Sequence, residues 1–340
     1  MAINIIKWKT VMRLFYLVLC LFILFFSFNR IVSAEIKIAV IGKTKNDSFY
    51  QQSFKGCQQF SGSHKDVTCF YDGPADYQDI RGQADVIRSV VEDGVDGILV
   101  STTDSAYLVN RILKRVKSQG IPVITFDSDL LPEHSEYRLA YVGTDNFDYG
   151  MALGNYAKKF KTAGYTEICI QSGHKSTPNL NERIRGVRFA LSGNDGNRRL
   201  NGENGWIENI RCPLYTMGKR KSALFQLGII LEQKRTSVFI AVAGFAQFSP
   251  EYIPKILPHK KKIISQQVVI VSADTEDIQL QALKQNLSTV NIGQRPFEMG
   301  RIGTELLYDY IKNNTVPERE FYYLDFHYCT PESVSSCIVR

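Results

Sequence analysis

Short, nearly unbroken apolar runs alternate along this chain with longer stretches in which apolar residues recur at helical spacing. Ile36–Ile41 reads as a strand and Phe49–Phe60 as a helix. Val67–Tyr71 is a strand, Tyr77–Val91 a helix, Gly97–Val100 a strand, Ala106–Lys117 a helix and Pro122–Phe126 a strand. Strands that alternate with helices build a parallel sheet covered on both faces. The pattern then restarts. Glu167–Gln171 reads as a strand, Asn181–Leu191 as a helix, Trp206–Arg211 as a strand, Lys219–Glu232 as a helix and Ser237–Val242 as a strand. Strands at Val268–Val271 and Thr289–Ile292 come next, then a helix from Phe297 to Ile311. One sheet holding all these strands would be unusually wide. The pattern therefore predicts an α/β chain of two doubly wound parallel-sheet domains. Asn194–Gly205, rich in Gly and Asn, reads as a surface loop.

The first residues break this pattern. Lys7, Lys9 and Arg13 precede the apolar run Leu14–Phe28, and Val32-Ser33-Ala34 comes after it. A basic head, an apolar middle and small residues at the end are the parts of a secretory signal, cut here after Ala34. The run is shorter than the ~20 residues of a spanning helix, the alternative being an uncleaved anchor. The segment also distorts the charge. Lys7, Lys9, Arg13 and Arg30, with no acid among them, supply four of the +7 formal charges and leave +3 for the rest. That balance gives no basis for a nucleic-acid partner, and Lys260-Lys261-Lys262 reads as a solvated loop. Export makes the remaining cysteines interpretable: Cys57, Cys69, Cys169, Cys212, Cys329 and Cys337. An even number outside the cytosol points to disulfides. Of the possible pairings, proximity favours Cys57–Cys69, Cys169–Cys212 and Cys329–Cys337. No CxxC pair and no zinc spacing occurs, so neither metal nor cofactor is expected.

In doubly wound sheets ligands sit beyond the carboxyl ends of the strands. Polar and aromatic residues gather at those places: Asp47, Phe49 and Tyr50 after the first strand, Asp127 after the fourth, then Asp274 and Gln294. With Arg183 they form a set suited to a polyol. Each hydroxyl that leaves water must find a partner. Carboxylates accept, a guanidinium donates, an amide does both, and aromatic rings cover C–H faces. Each residue also has a plainer role open to it. Aspartates after strands commonly cap helices, Phe49 and Tyr50 could be core, and Arg183 could pair with a surface acid. Of Asp127 and Asp129, one is expected to face a ligand and the other to serve a turn. His174, after a second-domain strand, is a candidate for the cleft border.

From Ile36 to about Thr330 the chain resembles the type 1 periplasmic binding proteins, in their ribose-binding branch. The stretches that carry the resemblance are IKIAVIGKTKNDSFYQQSFKG, DGVDGILVSTTDSA, GIPVITFDSD, YVGTDNFDYG, NERIRGVRFA, VVIVSADTED and VNIGQRPFEMGRIG. The resemblance implies ligand contacts at Asp47, Phe49, Tyr50, Asp127, Arg183, Asp274 and Gln294. It implies three crossings, near Thr144, Gln294 and Tyr323, forming a three-strand hinge. The lobes would be 35–144 plus 295–323, and 145–294 plus 324–340, after a signal at 1–34. Ser128 stands where ribose binders carry an arginine, Ala243-Gly244 where they carry an asparagine, and Asp47 where asparagine is usual. These departures shift the expected ligand from ribose toward another sugar, a modified polyol or a ligand with a cationic group. Tyr215 or Met217 would supply the second domain's aromatic.

The implied role is a monomeric periplasmic solute-binding protein serving the membrane permease of an ABC-type importer. The alternative is a sensor that presents ligand to a chemoreceptor, histidine kinase or cyclase. G-x-S-x-G, H-E-x-x-H and P-loop motifs are missing from the sequence, so no enzyme is expected. A transcription repressor of this fold would need a helix-turn-helix before Ile36, where the signal stands.

Overall fold

The computed structural model describes residues 35–77, 79–233 and 236–337. The expected signal and its cut after Ala34 lie outside the described residues. Residues from Ile36 onward form one compact unit. Among the described residues no helix is long and apolar enough to cross a membrane.

The first half builds β1 (Ile36–Ile41), α1 (Ser48–Ser63), β2 (Val67–Asp72), α2 (Ile80–Glu92), β3 (Gly97–Val100), β4 (Val123–Phe126) and β5 (Ala140–Gly143). Helical turns from Ser105 to Ser118, with a widened π-turn at Val109–Leu113, join β3 to β4. The second half builds α3 (Asn146–Ala157), β6 (Thr166–Ser172), α4 (Pro178–Ser192), β7 (Trp206–Glu208), β8 (Leu214–Tyr215), α5 (Arg220–Glu232), β9 (Thr236–Ala241), β10 (Val269–Ala273), α6 (Asp277–Lys284) and β11 (Val290–Gly293). The chain closes with α7 (Pro296–Asn313), β12 (Phe321–Tyr323) and β13 (His327–Cys329).

One sheet runs β12-β5-β4-β3-β1-β2, parallel throughout. The other runs β13-β11-β10-β9-β6-β7, with β8 beside β6 and only β13 antiparallel. In each sheet the first strand lies inside, so the order turns back at β1 and at β6. Such switch points open a crevice at the strand ends. The chain passes between the sheets after β5, after β11 and after β12.

Strand alternation divides the core of the first sheet. Ile38 and Val40 pack on the face covered by α1 and α7, while Ala39 and Ile41 pack toward α2 and the turns beyond β3. Glycines set the closest helix approaches. A side chain on Gly56 or Gly300 would collide with the backbone of the facing helix, α7 or α1. Gly150 and Gly186 do the same between α3 and α4, and the backbone that meets Gly150 is that of Arg183.

Several boundaries differ from expectation. The strand expected over Trp206–Arg211 stops at Glu208, because the Asn209 side chain accepts from the Arg211 N–H and turns the chain. The Lys260–Lys262 run opens a short helix, Lys260–Ile264, anchored by buried Ile263. The helix α4 begins at Pro178, where proline's fixed φ suits the first turn. The helix expected from Tyr77 begins at Ile80, capped by Asp79 through the Gly82 N–H, and leaves Tyr77 outside it. Three disulfides close, Cys57–Cys69, Cys169–Cys212 and Cys329–Cys337.

Candidate functional site

Asp127 and Asp274 occupy matching places at the ends of β4 and β10. Both have left-handed backbones, with φ of 58° and 71°. Each donates its N–H to the neighbouring strand, Asp127 to Val142 O at 3.3 Å and Asp274 to Ile292 O at 2.7 Å. A non-glycine residue in this region carries roughly 1–2 kcal/mol of strain, which is tolerated where the surroundings need it. Here both carboxylates line the same cavity between the lobes.

All seven sequence-derived residues, Asp47, Phe49, Tyr50, Asp127, Arg183, Asp274 and Gln294, line that cavity. Its walls enclose ≈ 330 Å³ of space between atoms, the mouth included. Asp127 is the most heavily bonded. Its Oδ2 accepts from Ser101 at 2.8 Å and Tyr50 at 3.2 Å and lies 3.1 Å from Lys43 Nζ. Its Oδ1 accepts from Asn179 Nδ2 at 3.1 Å and lies 3.5 Å from Arg183. Burial alone would push this carboxyl up; Lys43, Arg183 and Ser101 outweigh it and hold it below its usual value.

Arg183 projects from α4 and donates to Asn146 Oδ1 at 2.8 Å, Val242 O at 3.0 Å and Gln294 Oε1 at 3.0 Å, while stacking on Tyr149. Gln294 passes the link on, donating to Asp274 Oδ1 at 2.7 Å, and the Gly244 N–H donates to Asp274 Oδ2. Burial raises Asp274 to about 6, against the pull of Arg183 and Gln294. Nearby, burial lifts Glu276 to about 7, opposed by a hydrogen bond from Ser48 across the cleft.

Asp47 caps α1 through the Phe49 N–H, and its other oxygen meets Arg220 of the opposite lobe at 3.3 Å. Capping and lining the cavity are therefore done by one residue. Asp129 takes the turn role. It binds Arg138 through both oxygens and accepts from Thr125 and the Leu130 N–H.

Arg183 and Asp274 do not stand in open solvent. Arg183 is 2 %, Asp127 4 % and Asp274 6 % exposed, because the lobes are closed on one another. His174 does not line the cavity; its ring bonds Ser176 in a local turn. Nor do Tyr215 or Met217 line it. The second lobe's aromatics are Phe245 and Phe248, just beyond β9.

Lys43, Tyr77 and Asn179 were not anticipated either. Lys43 is wholly buried behind Asp127 and donates to Asn179 Oδ1 at 3.1 Å; burial lowers it, with Asp127 pulling it back up. Asn179 had a legible signal. It sits four residues before Arg183, one turn away on the same face of α4. Among the described residues no cluster able to hold a metal ion occurs.

Two matching lobes with a polar and aromatic cavity at their strand ends define a ligand-binding α/β protein. A family model, the periplasmic binding protein domain, matches residues 38–315, and the chain belongs to that family. Its fold is similar to that of an ABC transporter solute-binding protein from Burkholderia graminis C4D1M in complex with D-arabinose. That match has a TM-score of 0.74 and 21% identity, over 90% of this chain and 98% of that one. A solute-binding protein from Agrobacterium vitis with bound D-fucose gives 0.76 and 21%, over 88% and 96%. One from Actinobacillus succinogenes 130z with bound D-allose gives 0.73 and 18%, over 89% and 100%. In sequence, 154 residues are 31% identical to the HTH-type transcriptional repressor PurR of Vibrio cholerae serotype O1 (strain M66-2). The match takes in 42% of this chain and spans 42% of the repressor's length.

Proposed function

We propose that this protein captures a small neutral polyol, a monosaccharide or close analogue, between its lobes and presents it unchanged to a membrane partner. Residues 35–144 with 295–323 form one lobe in this reading, and 145–294 with 324–340 the other. The three crossings serve as the hinge. The observation that carries it is the convergence of three carboxylates, a guanidinium, two amides and aromatic rings from both lobes on one cavity.

The charges favour a neutral ligand. Lys43 and Arg183 stand against Asp127 and Asp274, and Arg220 against Asp47. A cationic ligand would leave an excess charge in a buried site, at considerable cost. The Asp274 carboxylate accepts two hydrogen bonds from the described residues, so it retains acceptor capacity for ligand hydroxyls. The sugars bound by the similar structures agree with this class.

The partner in this reading is the permease of an ABC-type importer, reached in the periplasm by a monomer whose leader has been removed after Ala34. A sensing role is the second reading. It draws support from a stretch of 154 residues that is 31% identical to a transcriptional repressor, over 42% of that protein's length.

The test is mass spectrometry of whatever co-purifies with the native protein, then calorimetry with that molecule and with D-arabinose, D-fucose and D-allose. A polyol bound by the wild type is expected to be lost in Arg183→Ala and in Asp274→Ala. Because both side chains are buried and bonded, each variant also loses stability, for Arg183→Ala on the order of 3 kcal/mol from the cavity left and the partners at Asn146, Val242 O and Gln294 left unbonded. Normal binding by either folded variant would defeat the site assignment.

A further inference from the structure

We infer, on the reading that the cleft takes a sugar-like ligand, that Tyr77 sets the ligand's size: its ring closes the mouth of the cavity and admits one sugar ring without a bulky substituent. Tyr77 lies in the turn between β2 and α2, released from the helix by the Asp79 cap. It belongs to the first lobe, yet its ring seats against the second. The ring meets Phe245 edge-on, with centroids 4.8 Å apart. It also fills the space beside Gly218, where a side-chain carbon would overlap the Tyr77 ring.

The socket is specific in backbone as well as in shape. Met217 and Gly218 are consecutive left-handed residues, with φ of 54° and 70°, and it is the bare backbone of Gly218 that lies against the ring. Only glycine offers both that conformation and that clearance. At the inner end the Tyr77 hydroxyl lies 3.3 Å from that of Tyr50, which donates to Asp127 Oδ2. The ring is thus held by the second lobe on its flank and by the ligand-site aspartate, through Tyr50, at its tip. Tyr77 is itself a lining residue and remains partly exposed, so it stands between cavity and solvent. A substituent leaving the cavity on that side would have to displace it, and with it the contact that lets the lobes meet.

Calorimetry on the full-length mature protein tests this with the tightest binder among D-arabinose, D-fucose and D-allose and with the phenyl glycoside of that same sugar. The wild type is expected to bind the phenyl glycoside about 100-fold more weakly, and Tyr77→Ala to narrow that gap to within about tenfold. Gly218→Ala should weaken binding of the free sugar in the wild type and have little effect on binding in the Tyr77→Ala background. Backbone strain at 218 is common to both backgrounds and cancels in the comparison. A wild type that holds the phenyl glycoside as tightly as the free sugar overturns the gate and leaves the sugar reading standing. If none of the three sugars binds, the sugar reading falls and the gate is judged by a cross-link. A Cβ at 218 would lie 2.8 Å from that of Tyr77, near enough for a disulfide after a small shift. In Tyr77→Cys/Gly218→Cys protein, failure of that bond to form overturns the seat, and its formation supports it.

Discussion

Asp127 and Asp274 sit in the same strained backbone pose, yet their surroundings drive their carboxyls in opposite directions. Asp127 is flanked by Lys43 and Arg183 and is held low; Asp274 faces mostly neutral donors and is pushed to about 6 by burial. The direction of each shift fixes its effect on stability. A carboxyl whose folded value is raised above its ordinary 3.8 contributes stability at acid pH, lost as pH rises through about 6. The contribution of Asp274 is about 3 kcal/mol for a shift of about two units. Glu276, raised from 4.5 to about 7, acts in the same direction. With the lobes closed, the fold is therefore expected to grow more stable from pH 8 toward pH 5, measured by urea unfolding, and Asp274→Asn to flatten the part between pH 4 and 6. Below that window Asp127 works the other way, because its stabilisation is lost as it protonates. Polyol affinity should run opposite to stability, falling below pH 6 as Asp274 stops accepting from hydroxyls. A pH-independent unfolding curve would contradict the burial assigned to both residues. Six of the seven cavity positions were legible because strand ends in this architecture point at the crevice; Arg183, on α4, was implied by the family resemblance. The left-handed pose was not, since nothing in the residue type distinguishes these aspartates from Asp129, which turns away to bind Arg138.

At the scale of elements, each disulfide ties a strand to a neighbouring helix, turn or tail. Cys57 on α1 is joined to Cys69 on β2, and Cys169 on β6 to Cys212 in the turn after β7. Cys329 on β13 is joined to Cys337 in the tail. The Cys169–Cys212 bridge is buried and spans 43 residues, including α4, which carries Asn179 and Arg183. Its removal by Cys169→Ser/Cys212→Ser is expected to cost about 2–5 kcal/mol of stability in denaturant unfolding. Titration of the unmodified protein should find no reactive thiol among these six. Two or more free thiols, or a variant as stable as the parent, would refute the pairing. Elements with a strong period were read to within a few residues of their ends. The misplaced boundaries lie where side chains act on backbone: Asp79 capping α2, Asn209 ending β7, buried Ile263 drawing a lysine run into a helix. Such local bonds compete with periodicity and are settled residue by residue.

For the molecule as a whole, the lobes are linked by three crossings and touch across the cleft through mostly polar contacts. Among them are Lys43 with Asn179, Arg220 with Asp47, Ser48 with Glu276 and Tyr77 with Phe245. Contacts of this kind shift between open and closed states with modest energies, so a ligand that binds both lobes can tip the balance. Solution scattering is expected to give a smaller radius of gyration with saturating ligand than without; identical values would argue against a closing hinge. The alternation of apolar runs determined by itself that the chain forms parallel sheets covered by helices, and that a crevice opens at their strand ends, because burial on both faces leaves few other arrangements for such a pattern. Local order also placed six of the seven polar and aromatic candidates, all but Arg183. Only the tertiary structure decided that Lys43, Tyr77, Phe245 and Phe248 join them, since these come from loops and turns whose meeting depends on how one lobe is set on the other. It also decided the charge state of the site. The value of a buried carboxyl depends on which cations the fold brings within a few ångströms, and those neighbours are distant in sequence.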